Sequence, residues 1–189
     1  MKMKKISLMF LSLLAFGGVT AQSEWKVDAA HSSITFEVGH LMISSVTGKF
    51  NTFDITAQAG DDFGAPEFTV TIQTTSVDTE VQRRDDHLRS ADFFEVETYP
   101  EMTFETTSSQ STGDNTFTVT GNLTLHGVTK EVTLDGTVGG VITDQRSQKL
   151  KAGAKLTTSI NRLDFGVGSD SPMIGTDIDV TIRLEMAQQ

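Results

Sequence analysis

Apolar and polar residues alternate with a period of two along most of this chain. Such alternation indicates β-strands that bury one face and expose the other. The apolar faces of eight predicted strands carry Ile34, Phe36 and Val38; Phe53, Ile55 and Ala57; Phe68, Val70 and Ile72; Met102 and Phe104; Phe117, Val119, Gly121, Leu123 and Leu125; Val132, Leu134, Gly136 and Val138; Leu150, Ala152, Ala154, Leu156 and Ile160; Ile178, Val180, Ile182, Leu184 and Met186. The pattern therefore predicts an all-β fold.

The opposite faces of these strands are rich in Thr, Lys, Asp and Glu, which is typical of an antiparallel sheet with water on one side. Because only one short helix is predicted, the sheet has to cover itself, as a sandwich or as a closed barrel. Phe50 and Phe53 are three residues apart and would face opposite sides of a regular strand. We expect a β-bulge at 49–53, and bulges help a sheet to close into a barrel.

The segment 83–104, RRDDHLRSADFFEVETYPEMTF, interrupts the alternation with many charges and two adjacent phenylalanines. It overlaps the one predicted helix, which covers 76–90 and begins with Ser, Asp and Thr side chains that can cap it. In a barrel, such a short helical insert is expected to cover one end. We expect Leu88, Phe93 and Phe94 to point inward and the charged residues to point outward.

The inward faces of the strands combine large residues with very small ones. The small ones are Ala57, Gly121, Gly136, Ala152 and Ala154. In an eight-stranded barrel they favour a ligand cavity, unless facing Phe and Met side chains fill the space. Phe occurs twelve times against one Trp and one Tyr, so a lining of this kind suits an acyl or prenyl chain. Ordinary core packing explains the same composition equally well.

The first 21 residues have the three parts of a secretory signal peptide: lysines, an apolar run over 6–16 and small residues ending at Ala21. The run of about 11 residues is shorter than the roughly 20 that span a bilayer, so no stable membrane anchor is expected. Cleavage after Ala21 predicts a periplasmic or secreted chain, with residues 22–189 as one domain. The absence of cysteine means that this domain has no disulfide to stabilise it.

Charge and motif content narrow the function further. Loss of the three signal lysines takes the formal charge from −10 to −13, which argues against nucleic acid as a partner. No nucleophile motif, phosphate loop or HExxH motif is present, and the four histidines lack metal-ligand spacing. We therefore predict neither catalysis, nor a metal, nor a cofactor other than a bound lipid. Arg84 and His87 share a helix face and are candidates to bind an anionic head group, or else to pair with Asp85, Asp86 and Asp92.

Four separated motifs follow one another along the chain: WKVDAAHSSITFEVGHLMISSVTGKF, DDHLRSADFFEVETYPEMTF, GNLTLHGVTKEVTL and NRLDFGVG. Together, and in this order, they resemble the motifs of the YceI-like family of periplasmic or secreted bacterial proteins. The resemblance covers nearly all of the chain after the signal peptide. It implies an extended, lipocalin-like, eight-stranded antiparallel barrel whose apolar pocket binds polyisoprenoid or other long-chain amphipathic lipids. The family's motif positions correspond to His40, Lys49, 86–94, His126, Gly127, Lys130 and 164–166.

The leading hypothesis is a non-catalytic protein that carries, stores or sequesters an isoprenoid or fatty-acyl lipid. The predicted ligand-binding residues are Phe36, His40, Met42, Phe50, Phe53, Arg84, His87, Leu88, Phe93, Phe94, Phe104, Leu125 and Phe165. The alternative is an adhesion or stress-related interaction module with a filled interior. The sequence leaves the oligomeric state open, a homodimer included.

Overall fold

A computed structural model describes residues 22–189, so the predicted signal peptide lies outside the described residues. This part of the chain forms eleven strands and one α-helix, α1, which covers Gln82–Arg89. The strands are β1 Ser23–Val27, β2 Ser33–His40, β3 Ser44–Phe50, β4 Phe53–Ala59, β5 Glu67–Gln73, β6 Val77–Asp78, β7 Glu101–Gly113, β8 Thr116–Leu125, β9 Val128–Thr143, β10 Leu150–Asn161 and β11 Ile174–Gln188. Three short 3₁₀ turns lie at Ala29–His31, Thr74–Ser76 and Arg162–Phe165.

Eight of the strands form a closed antiparallel barrel in the order β1-β4-β5-β7-β8-β9-β10-β11. The ring closes where Trp25 in β1 is the register partner of Gln188 in β11. The earlier residues of β11 pair with β2, which pairs with β3, and β3 pairs with β6. The predicted eight-stranded antiparallel barrel with one short helical insert is therefore confirmed.

Two local predictions are wrong. The chain does not bulge at 49–53 but leaves one strand and begins another, since β3 ends at Phe50 and β4 begins at Phe53. The two strands have different partners: β3 pairs with β2 and β6, and β4 pairs with β1 and β5. The helix begins at Gln82 and has no side-chain cap. The predicted capping residue Thr79 instead uses its backbone N–H and hydroxyl to contact Asp85.

The two ends of the barrel differ in how they are filled. The packed end lies where β4 meets β5, and the loop between them places Phe63 in the interior. The ring of Phe63 lies 5.1 Å from Trp25 and 6.1 Å from Phe68, both in edge-on geometry. Trp25 Nε1 donates to the carbonyl of Ala59 at 3.3 Å, so the buried indole has its hydrogen bond.

The cap end is the opposite end, which α1 and the segment that follows it cover. Backbone bonds hold this cover in place: Phe94 N–H donates to Leu88 O at 3.0 Å, and Val96 N–H donates to Arg89 O at 3.2 Å. His126 and Gly127 form the β8–β9 turn at the same end, both with positive φ.

Candidate functional site

An elongated cavity lies inside the barrel, between the packed end and the cap end. Its volume is about 180 Å³. It is lined by Ile34, Thr35, Phe36, Val38, Phe50, Ile55, Phe68, Val70, Ile72, Leu88, Phe93, Phe94, Met102, Phe104, Leu123, Leu125, Val132, Leu134, Leu156, Thr158, Ile160, Arg162, Val167, Ile174, Ile178, Val180, Ile182 and Leu184. The surface that these residues turn toward the cavity is apolar throughout. Such a wall suits hydrocarbon and offers no partner to a polar group.

The small inward residues do not create this cavity, contrary to the reasoning from sequence. No glycine or alanine is among its lining residues. A side chain on Gly136 would overlap the ring of Phe117, and one on Gly121 would overlap the ring of Phe104. Each glycine is thus covered by a phenylalanine from the adjacent strand, a cross-strand pairing that stabilises glycine in sheets. The space for a ligand lies between larger side chains instead.

The cap contributes three apolar side chains to the cavity wall. Leu88, Phe93 and Phe94 all line the cavity, as the sequence predicted, and Phe94 packs edge-on against Phe50 with ring centres 5.8 Å apart. The hydrophobic side of the cap therefore forms the wall of the cavity at this end.

Most polar residues of the cap point outward and bond to neighbours. The prediction that all of its charges do so is wrong for Asp85, which is buried and accepts hydrogen bonds from the backbone N–H and the hydroxyl of Thr79. Arg84 donates to Thr79, with its Nε 2.7 Å from the hydroxyl and its Nη2 2.8 Å from the carbonyl. His87 Nε2 lies 3.0 Å from the carboxylate of Asp92. Together with Val81 and Arg83 these two residues surround a shallow hollow on the outer surface of the helix, separate from the cavity.

Seven of the thirteen predicted ligand-binding residues line the cavity: Phe36, Phe50, Leu88, Phe93, Phe94, Phe104 and Leu125. The structure does not bring the other six to it. Met42 is 91% exposed at a turn, and Phe165 is buried in a 3₁₀ turn. Phe53 packs against the core, and His40 ends β2. A role in binding for Arg84, His87 and these four residues stays a prediction.

Sequence reasoning missed Arg162, a buried cation beside the cavity. Its guanidinium donates to four backbone carbonyls, those of Val167 and Gly175 at 2.9 Å, Ser169 at 3.0 Å and Ile174 at 3.4 Å. Burial lowers the pKa of the guanidinium from its ordinary value, against a smaller raising effect of the Asp170 charge. The hydrogen bonds of Arg162 therefore hold the segment 166–175 in place at the cap end. The NRLDFGVG motif contained this residue, but nothing in the pattern marks it as buried.

Asp28, His31 and Glu185 are the one group in residues 22–189 that brings three potential metal-ligating side chains within 4.8 Å of one another. Ion pairs and hydrogen bonds between side chains explain why these three residues lie close together. His31 Nδ1 lies 3.0 Å from Asp28, and Lys151 Nζ donates to Glu185 at 2.8 Å. The group lies on the outside of the barrel and contributes nothing to the cavity wall.

A closed antiparallel barrel with an apolar internal cavity has the architecture of lipocalin-like binding proteins. The profile of the family described as "YceI-like domain" matches residues 25–186. Protein YceI of Escherichia coli O17:K52:H18 is 38% identical over the full length of both chains. The chain therefore belongs to the YceI-like family.

Solved structures show the same fold. The YCEI protein of Campylobacter jejuni is 33% identical, with a TM-score of 0.73 over 80% of this chain and 90% of that one. BcnA of Burkholderia cenocepacia is 24% identical, with a TM-score of 0.76 over 84% and 98% of the two chains. A domain of Saccharophagus degradans described as a polyisoprenoid binding domain is 17% identical, with a TM-score of 0.63 over 87% and 98%. At these identities, the last two show the fold alone.

Proposed function

We propose that this protein is a non-catalytic binder of one long-chain amphipathic lipid, of polyisoprenoid or fatty-acyl type. The observation that carries this proposal is the wholly apolar cavity inside the barrel. A hydrocarbon chain gains free energy by leaving water for such a cavity, at about 0.8 kcal/mol for each buried methylene group. The apolar wall gives a polar head group no bonding partner, so the head group is expected outside the cavity.

The shape of the cavity favours a chain over a compact ligand. Along β11 its lining extends without interruption from Ile178 to Leu184 on alternate residues, which is roughly 20 Å at about 3.4 Å per residue. The bulky rings of Phe36 and Phe104 border the same space. An apolar cavity lined over this length fits a flexible hydrocarbon chain.

The description of the Saccharophagus degradans domain as polyisoprenoid-binding supports a prenyl chain as the ligand. The cavity wall itself suits prenyl and fatty-acyl chains alike. The proposal includes cleavage of the signal after Ala21 and residence in the periplasm or the medium, where such a protein carries, stores or sequesters a membrane-derived lipid. The alternative of an interaction module requires a filled interior, and the cavity argues against it.

Displacement of a fluorescent long-chain fatty acid tests this function. We expect the purified protein to bind the probe in the apolar cavity, and a prenyl alcohol to displace it. Ile182→Trp fills the cavity and is expected to reduce probe binding at least tenfold. Ile142→Trp is the matched control, because Ile142 is 65% exposed and lies outside the lining. If both variants bind the probe as the parent does, the cavity is not the binding site.

A further inference from the structure

The turn between β2 and β3 presents large apolar side chains to solvent. Among residues 22–189, seven large apolar side chains are exposed, and four of them lie in this turn or in the segment bonded to it: Leu41, Met42, Ile43 and Met173. Met42 is 91% exposed and Ile43 is 85% exposed. The N–H of Leu41 donates to the carbonyl of Met173 at 2.9 Å, which joins the two segments. We call these four residues the apolar tip.

The backbone of this turn has a conformation that large side chains disfavour. Leu41 and Met42 have φ angles of 55° and 58°, and the N–H of Ile43 donates to the carbonyl of His40 at 3.2 Å. Positive φ at both central residues defines a type I′ turn, which favours Asn-Gly and disfavours large side chains. Strain kept at an exposed position indicates a function for the side chains that cause it.

The apolar tip lies beside the residues that line the cap end of the cavity, which we call the cavity rim. His40, which precedes it, is the register partner of Ile174, and both Ile174 and Val38 line the cavity. A surface bound to the tip is therefore adjacent to the cap end of the cavity.

The charge distribution favours a lipid surface as the partner. The segments 38–48 and 171–176 contain no Asp, Glu, Lys or Arg, although the chain as a whole has a formal charge of −10. An uncharged apolar patch enters a bilayer interface without burying a charge, while the acidic remainder of the chain is repelled by anionic lipid. The four side chains expose on the order of 500 Å² together, the size of a functional patch on a monomer. A stable dimer buries about 800 Å² on each partner.

We infer that the apolar tip inserts reversibly into a zwitterionic bilayer surface and so brings the cavity rim to the membrane. The inference rests on the proposed function in one respect: lipid binding in the cavity explains why docking is useful, because a bound lipid then passes between bilayer and cavity. Among residues 22–189, no helix is long and apolar enough to cross a membrane. The proposed contact is peripheral and uses the turn.

Co-sedimentation with phosphatidylcholine vesicles tests the inference, using the double variant Leu41→Asn with Met42→Gly. Asn-Gly fits the type I′ turn, so this variant is expected to melt at the same temperature or higher while its vesicle binding falls at least tenfold. Ile142→Ser removes an exposed apolar side chain at the packed end and is expected to bind vesicles like the parent. Adding phosphatidylglycerol is expected to weaken binding by the parent at low salt, and added salt is expected to restore it.

Two results would overturn the inference: a parent protein that ignores phosphatidylcholine vesicles, or a double variant that binds them as well as the parent does. A parent that is dimeric in solution, becomes monomeric in the double variant and does not bind vesicles would assign the tip to a second copy. Binding of the fluorescent fatty acid is measured in parallel. If the parent binds no fatty acid yet needs the tip to bind vesicles, the proposed function fails and the docking inference stands.

Discussion

Inward glycines pack against phenylalanine rings both in the core and beside the cavity, and replacing them by alanine is expected to change stability differently at the two places. Gly136→Ala places a methyl group within the ring of Phe117, which is 1% exposed in the core. Overpacking of this kind costs about 1 to 3 kcal/mol. Gly48→Ala places a methyl group within the ring of Phe36, but Phe36 borders the cavity and has space to move into.

The expected free energies of unfolding follow from this difference. Replacing glycine by alanine stabilises by about 0.4 to 1 kcal/mol through the unfolded chain, provided that the folded site accepts the methyl group. We therefore expect Gly136→Ala to lose about 1 to 2 kcal/mol and Gly48→Ala to stay within about 0.5 kcal/mol of the parent. In a domain of this size, about 1 kcal/mol shifts the melting temperature by roughly 2 to 4 °C.

Thermal unfolding followed by circular dichroism measures both variants, and the fatty-acid probe measures the cavity. Gly48→Ala is expected to weaken probe binding because the displaced Phe36 ring enters the cavity, whereas Gly136→Ala is expected to leave it unchanged. Equal losses of stability in the two variants would refute the distinction between a glycine in the packed core and a glycine beside the cavity. So would a Gly136→Ala protein as stable as the parent.

Two further predictions concern polar groups outside the cavity. Arg162→Met is expected to lower the free energy of unfolding, measured in urea, by about 3 kcal/mol, because buried carbonyls lose their donor. An unchanged midpoint of urea unfolding would show that Arg162 does not stabilise the segment 166–175. Hydrogen bonding to Asp28 raises the pKa of His31, and the same contact lowers the pKa of Asp28. The pair therefore stabilises the fold between these two pKa values. Its contribution is lost as pH rises through the raised His31 pKa or falls through the lowered Asp28 pKa. NMR titration is expected to show a lower His31 pKa in Asp28→Asn, and an unchanged value would exclude this contact as the cause.

The barrel was predictable because its strands bury one face, and an alternating sequence records that face directly. Three strands were not predicted. β1 has a single inward aromatic residue, Trp25, and β3 has Gly48 where an apolar side chain would have marked its inner face. The two-residue strand β6 lies within the segment that was predicted as helix. The helix start was misplaced because Thr79 contacts Asp85 instead of capping. The helix error therefore comes from a contact between side chains, whereas the missed strands lack a clear local pattern.

The candidate site was predicted in part and for a reason that proved wrong. The glycines at 121 and 136 indicated space, yet phenylalanine rings occupy it. The cavity arises where the barrel is left unfilled between the packed end and the cap, and a one-dimensional pattern does not record that. The prediction that Phe93 and Phe94 point inward was correct, because apolar side chains in a charged insert are buried only on the side that faces the barrel interior. Arg162 was missed because its partners are backbone carbonyls, which leave no trace in the sequence.

Native mass spectrometry of the protein purified from its own host, followed by organic extraction and lipid analysis, tests the central claim most directly. We expect one long-chain lipid per protein molecule, released by extraction and reduced by Ile182→Trp but retained by Ile142→Trp. A protein that is empty when isolated and takes up neither prenyl nor fatty-acyl lipids on addition would contradict the account.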